Sequence, residues 1–222
     1  FSPEEYARPR TAEEEATLAI YRRAIEAAGG LHLPADRAGD EALASKEPAI
    51  VLALEASRRP ACDFFGLEPG GVSSTDVHDL AVLLVRSASR LESQGRLDAA
   101  FERYLGALRI AGQLRHRTSR VNLGDEIERS VCANLPGWAA RPSQTSNRVL
   151  AALRQVDETI ARLPSRADAI KTDYLFSQRI LDGDPEAIAS LGDIRDTESL
   201  QLVLRVLFWE RYRTLRELNR AT

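Results

Sequence analysis

Apolar residues recur along this chain at intervals of three and four, the spacing that lines one face of a helix, and no convincing strand-like alternation occurs. The clearest stretch is residues 81–112. Within a helix that Ser74 or Thr75 would cap, Val77, Leu80, Ala81, Leu84, Ala88 and Leu91 follow one another at steps of 3, 1, 3, 4 and 3. Gly95 interrupts the pattern. The next helix then places Leu97, Ala100, Phe101, Tyr104, Leu105 and Leu108 on one face, with Glu102, Arg103 and Arg109 opposite. A turn this short joins only antiparallel neighbours, so the two helices are predicted to pack as a hairpin.

The same reading extends to both sides. Thr11 followed by Glu14 is a capping box that opens a helix through Leu18, Tyr21, Ile25 and Ala28, stopped by Gly29-Gly30. Residues 31–40 read as a loop. One helix is then expected over 41–57, with Ile50, Val51 and Leu54 in the core and Arg58-Arg59-Pro60 at its end. Gly66, Pro69, Gly70 and Gly71 mark the longest irregular stretch, read as an ordered surface loop. Beyond the hairpin, helices are predicted over 121–139, to about 163 after Pro142-Ser143-Gln144-Thr145, over 167–181 and from 197 towards 219, with a short turn near 186–191. The fold class is therefore all-α: antiparallel helical hairpins forming a tetratricopeptide-like α-α superhelix or an irregular bundle.

No shift in composition divides residues 1–222, so they read as a single helical domain. A chain of this length buries roughly 70% of the surface exposed when unfolded, which suffices for its own core. Hydrophobic residues at 44% and charged ones at 28% are ordinary for a globular protein. The net charge of −3 argues against general nucleic-acid binding, which demands a basic excess. No apolar run reaches the roughly 18 residues of a membrane span. The chain holds no methionine, even at position 1, and is expected to be a segment of a longer or processed protein.

Candidate chemistry is sparse. His32, His78 and His116 fall on different elements without paired-histidine spacing, and no phosphate-cradling glycine motif occurs. Asp182-Gly183-Asp184 lacks the alternating ligands of a calcium loop and, followed by Pro185, reads as a helix stop. Cys62 and Cys132 are expected to be separate buried thiols, a disulfide being the alternative if the fold brings them together, with Cys62 anchoring its loop beside Asp63 and Phe64-Phe65. No catalytic residue, metal ligand or cofactor is assigned.

Two surface features remain. Arg115, Arg117 and Arg120, with His116, form the one local basic cluster. It would either complement the carbonyl end of the hairpin's second helix or bind phosphate or an acidic partner. In residues 200–209 everything except Gln201 and Arg205 is apolar, including Leu202, Val206 and Trp209. A helix apolar all round must be covered on more than one side. Leu202, Val206, Trp209, Arg115, Arg117 and Arg120 are accordingly the candidate partner-binding residues.

Two resemblances bear on this reading. Leu84, Ala88, Leu91, Gly95, Ala100, Tyr104, Ala107 and Leu108 sit at spacings similar to those of one tetratricopeptide repeat. The register is lost one repeat on, where Thr118, Asn122 and Asp125 would have to be core residues. A longer succession covers most of the chain. It runs through Tyr21, Arg59-Pro60-Ala61-Cys62-Asp63-Phe64, Gly95-Arg96-Leu97-Asp98-Ala99-Ala100 and Trp138-Ala139-Ala140-Arg141-Pro142. Ala169-Ile170-Lys171-Thr172-Asp173-Tyr174-Leu175 and Trp209-Glu210-Arg211 complete it. It resembles a family of helical proteins abundant in planctomycete bacteria, for which no activity is established. The resemblance implies a helical-repeat fold and attachment to the cell envelope or a membrane.

The expectation is a non-enzymatic helical scaffold that binds a protein or peptide. The alternatives are an enzyme with a pocket between helices, or a structural segment such as a dimerisation domain.

Overall fold

A computed structural model describes residues 11–29, 40–59, 64, 72–115 and 121–162. Helices make up 86% of the described part, and no strand occurs among the described residues. The helices are α1 (Ala12–Ala28), α2 (Asp40–Ser45), α3 (Glu47–Ser57), α4 (Ser74–Ser93), α5 (Leu97–Arg115), α6 (Val121–Ala139) and α7 (Ser146–Arg162). The all-α expectation holds.

Local chemistry sets most of the ends. Thr11 accepts from the Glu14 amide while the Glu14 carboxylate accepts from the Thr11 amide, which satisfies two otherwise unpaired donors of α1. Gly29 closes that helix in the left-handed region at φ 60°. The expected single helix over 41–57 is instead two, α2 and α3, parted at Lys46. Pro48 explains the break: it has no N–H to donate and fits only the first turn of a helix. The separation frees Lys46 to donate its Nζ to the carbonyl of Ala28, so a cation sits at the C-terminal end of α1. Within α3 the inward residues are Ala49, Ile50, Ala53 and Ala56, Leu54 is half-buried, and Val51, expected in the core, is 55% exposed. The cap of α4 is Ser73 rather than Ser74 or Thr75, because Ser73 holds the extended backbone from which its side chain accepts the Thr75 amide.

The predicted hairpin of α4 and α5 is present. Val77, Leu80, Ala81, Leu84, Ala88 and Leu91 all face inward and meet Leu97, Ala100, Phe101, Tyr104, Leu105 and Leu108. Gly95 takes φ 74° in the turn. One feature exceeds the expectation: α5 is buried nearly all round, since Gly106, Ala107, Ile110, Ala111, Gly112, Gln113 and Leu114 are also inside. A helix apolar over so much of its surface must be covered on several sides, and α5 is, by α3, α4, α6 and α7, which leaves the side with Asp98, Glu102 and Arg109 towards solvent.

Pairings between side chains give the helix directions. Glu92 near Arg141 and Ser89 near Asn134 run α4 and α6 parallel, and Arg115 near Asp125 with Trp138 near Leu97 runs α5 and α6 antiparallel. Arg103 near Glu47 and Gln113 near Ala56 align α5 with α3. Apart from the short α2, which touches α3 and α4, the helices thus form two layers, α1, α4 and α6 in one and α3, α5 and α7 in the other.

Two glycines let the layers close on α5. A Cβ on Gly106 would stand 2.5 Å from Leu54 Cδ2, and one on Gly124 would stand 2.6 Å from the Ala111 carbonyl oxygen. Helix propensity alone favours Ala over Gly by about 1 kcal/mol. At Gly124 the collision with backbone outweighs it, because overpacking costs about 1–3 kcal/mol. Gly124→Ala is expected to lower the thermal midpoint. Gly137→Ala, whose nearest neighbour would be Glu92 Oε1 at 3.8 Å, is expected to raise it by about 2–4 °C. Thermal melts of the two variants check the pair, since propensity alone would move both upward.

Candidate partner-binding surface

Arg115 closes the last turn of α5. Its Nε and Nη2 donate to Asp125 Oδ1 at 3.1 and 2.8 Å, Nη2 also reaches Glu128, and the side chain is only 11% exposed. Here it clamps α5 to α6. Asp125 therefore comes inside as the partner of a cation, not as an apolar core residue. Arg117, Arg120, Leu202, Val206 and Trp209 lie outside the described residues, as do His32, Cys62, His116 and Asp182-Gly183-Asp184.

His78 lies between α4 and α6, its Nδ1 3.2 Å from Asp79 Oδ1 and its Nε2 3.5 Å from Glu126 Oε2. No group of three or more metal-ligating side chains occurs among the described residues. Cys132, expected to be buried, is a free thiol on the exposed side of α6. Partial burial and the Glu128 charge both push its pKa up, the opposite of what an activated thiol needs.

A polar junction ties α4, α5 and α6 together. Glu92, buried at the end of α4, accepts from Arg141 Nε at 2.7 Å through Oε1 and from the Tyr104 hydroxyl at 3.1 Å through Oε2. The same hydroxyl is 3.1 Å from Ser89 Oγ. Nearby, Trp138 donates its indole N–H to the Leu97 carbonyl at 2.8 Å and stacks at a tilt on Phe101. A carboxylate, a phenol and a hydroxyl form a set that could move protons. Here both Glu92 oxygens are engaged, and burial pushes the Tyr104 phenol pKa up. The arrangement holds helices in place.

The least enclosed apolar surface is on α7. Thr145 starts this helix, its carbonyl accepting from Val149 and its hydroxyl from the Arg148 amide at 3.3 Å. Val149, Ala152, Leu153, Val156 and Ile160 follow at steps of 3, 1, 3 and 4, a single stripe with Leu150 beside it. Its main neighbour is α5, and Arg148 adds an ion pair to Asp98 at 2.9 Å. Only Ala152 is buried, while Val149 and Val156 are half-covered. Leu150, Leu153 and Ile160 remain 53%, 52% and 41% exposed. Of the large apolar side chains exposed among the described residues, only Val51 lies elsewhere. The periodicity of α7 was readable from sequence, but its exposure was not.

No described helix is long and apolar enough to cross a membrane. Comparison of the chain with protein-family models, with curated proteins and with solved structures returned no match. The functional reading therefore rests on these residues alone.

The junction makes a pH-dependent prediction. The folded protein holds the Tyr104 proton more tightly than the unfolded chain does, whose phenol has its ordinary pKa of 10.0. This contribution to stability is complete below that value and is lost as pH rises through and beyond it. Denaturant unfolding between pH 8 and pH 11 is expected to show a steeper alkaline loss for the natural chain than for Tyr104→Phe. At pH 8 the variant is expected to be about 1–3 kcal/mol less stable, because Glu92 loses a buried donor.

Proposed function

We propose that this chain is a non-enzymatic helical scaffold that binds a protein or peptide through its α7 end. The observation that carries the reading is the gathering of Leu150, Leu153 and Ile160 on the outer side of one helix. Contiguous exposed apolar surface is rare on a self-contained domain and marks association. An extended or helical peptide set along α7 would cover the stripe with apolar side chains three and four residues apart.

The layering supports a tetratricopeptide-like array. The α1–α3 and α4–α5 pairs each lay one helix in the α1–α4–α6 layer and one in the other, where α7 joins by packing on α5. Such arrays present end and groove surfaces for recognition. The ordered motifs that resemble the planctomycete helical family agree with this reading and extend the proposal to an envelope-attached setting. The main acid–base candidates are engaged in holding helices together, Glu92 with Arg141 and Tyr104, and Asp125 and Glu128 with Arg115.

Leu150→Glu combined with Leu153→Glu tests the surface. Both positions are exposed, so the fold is expected to keep its far-ultraviolet circular dichroism, with stability changing by about 0.5 kcal/mol or less per site. Affinity capture from cells carrying the intact gene is expected to recover a partner with the natural chain and to lose it with the double variant. Sedimentation at several concentrations reads self-association in parallel. A partner retained by the double variant would move binding away from α7, and a strict monomer that captures nothing would remove the scaffold reading.

A further inference from the structure

Three arginines on the α3–α5–α7 layer stand apart from the clamps described above. Arg109, in the middle of α5, is only partly exposed, and its Nη1 is buried without a hydrogen-bond partner. Two other part-buried arginines are answered from within the fold, Arg103 by Glu47 and Arg115 by Asp125 and Glu128. Around Arg109 the charges that act are Glu102, Arg58 and Arg162. Glu102 is already taken, its Oε1 accepting from Arg58 Nη2 at 2.7 Å. It also lies seven residues back along α5, roughly 10 Å of helix rise. One engaged carboxylate thus faces three guanidinium groups contributed by three different helices or their ends.

Burial pulls the Arg109 guanidinium below its ordinary range, Glu102 opposes this, and Arg58 and Arg162 add to it. The group stays protonated at neutral pH. A buried, charged donor with no acceptor is costly, and in native folds such groups call for an explanation. The rim is open: the side chains of Arg58 and Glu102 are 56% and 40% exposed, and Arg162 is exposed. Arg109 is itself part-exposed, so a ligand would meet the solvent-facing part of its side chain, and the chemistry that answers a set of guanidinium forks is a group with two or three anionic oxygens.

We infer that Arg109, flanked by Arg58 and Arg162, is a binding site for an oxyanion, a carboxylate or phosphate, on the outer side of the α3–α5–α7 layer. The inference is independent of partner docking on α7. Arg109 supplies the enclosed donor, while Arg58 and Arg162 supply charge from the rim. An acidic peptide side chain and free phosphate share this chemistry.

Thermal melts and titration calorimetry at low ionic strength test it. Inorganic phosphate and a capped hexaglutamate peptide serve as probes, with chloride at matched ionic strength as control. At a hundredfold excess over Kd, at least one probe is expected to raise the melting temperature by about 5–10 °C. Arg109→Gln is expected to lose that shift, and Arg154→Gln, on the exposed side of α7, to keep it. A response to the peptide alone would assign the site to an acidic segment, and a response to phosphate alone to the free ion. Without any probe, Arg109→Leu is expected to melt at the same temperature or about 2–4 °C higher, because an unanswered charge is removed. The proposal is overturned if neither probe shifts the natural chain, if Arg109→Gln shifts equally, or if Arg109→Leu melts more than about 4 °C lower.

Discussion

The close seating of α5 is the constraint on which the rest of this structure depends. Four neighbouring helices must reach its surface; at one crossing a Cβ would collide with backbone, and at another it would displace a leucine. Gly106 admits Leu54 from α3 and Leu84 from α4, and Gly124 lets α6 lie against the Ala111 carbonyl. Both sites trade helix propensity, about 1 kcal/mol relative to Ala, for short interhelical distances. In return Leu105, Leu108, Ile110 and Leu114 are almost wholly removed from water, each a gain of about 1.5–3 kcal/mol. The small-residue face of α3, Ala49, Ala53 and Ala56, follows the same logic from the other side.

Close approach forces polar groups into confined places, and each confined group sets a register. The Tyr21 hydroxyl donates to Gln113 Oε1, and the Gln113 amide donates to the Ala56 and Arg59 carbonyls, so α1, α3 and α5 meet through one side chain. Glu92 does the same for α4, α5 and the turn after α6. Arg115 does it for α5 and α6. A slip of one residue in any of these helices would leave a buried donor or acceptor unmet, at about 1–3 kcal/mol each. Apolar packing supplies most of the stabilisation here, and the polar contacts select one arrangement from many that would bury similar area.

What was legible in the sequence follows from how local each determinant is. The Thr11–Glu14 box, the Gly95 turn and the stripe from Val77 to Leu91 depend on residues within a turn or two of one another, and all were readable. The break at Lys46 was hidden because the apolar pattern runs across it, although Pro48 was its signal. Val51 was misplaced because α3 is apolar on most sides, so periodicity alone could not say which side faces α5. Arg115 carried both of its readings until Asp125 and Glu128 came into view from the next helix. The state of Arg109 was beyond reach, since it depends on charges from α3, α5 and α7 together.

The proposed recognition surfaces lie in one of the two layers. In the α1–α4–α6 layer and at its seams with α5, ionisable groups such as Glu92, Asp125 and Glu128 are matched by cations inside the fold. Among the described residues, the α7 stripe and the Arg109 guanidinium, the two features proposed above to bind, both belong to the α3–α5–α7 layer. One is apolar surface without cover and the other is charge without an acceptor, so they differ in the force each offers a partner. Apolar contact supplies non-directional affinity, and paired guanidinium forks supply orientation and selectivity. A ligand that used both would need an apolar helical or extended face and an anionic oxygen group along the run of α5. That combination describes a peptide more closely than it describes a small metabolite.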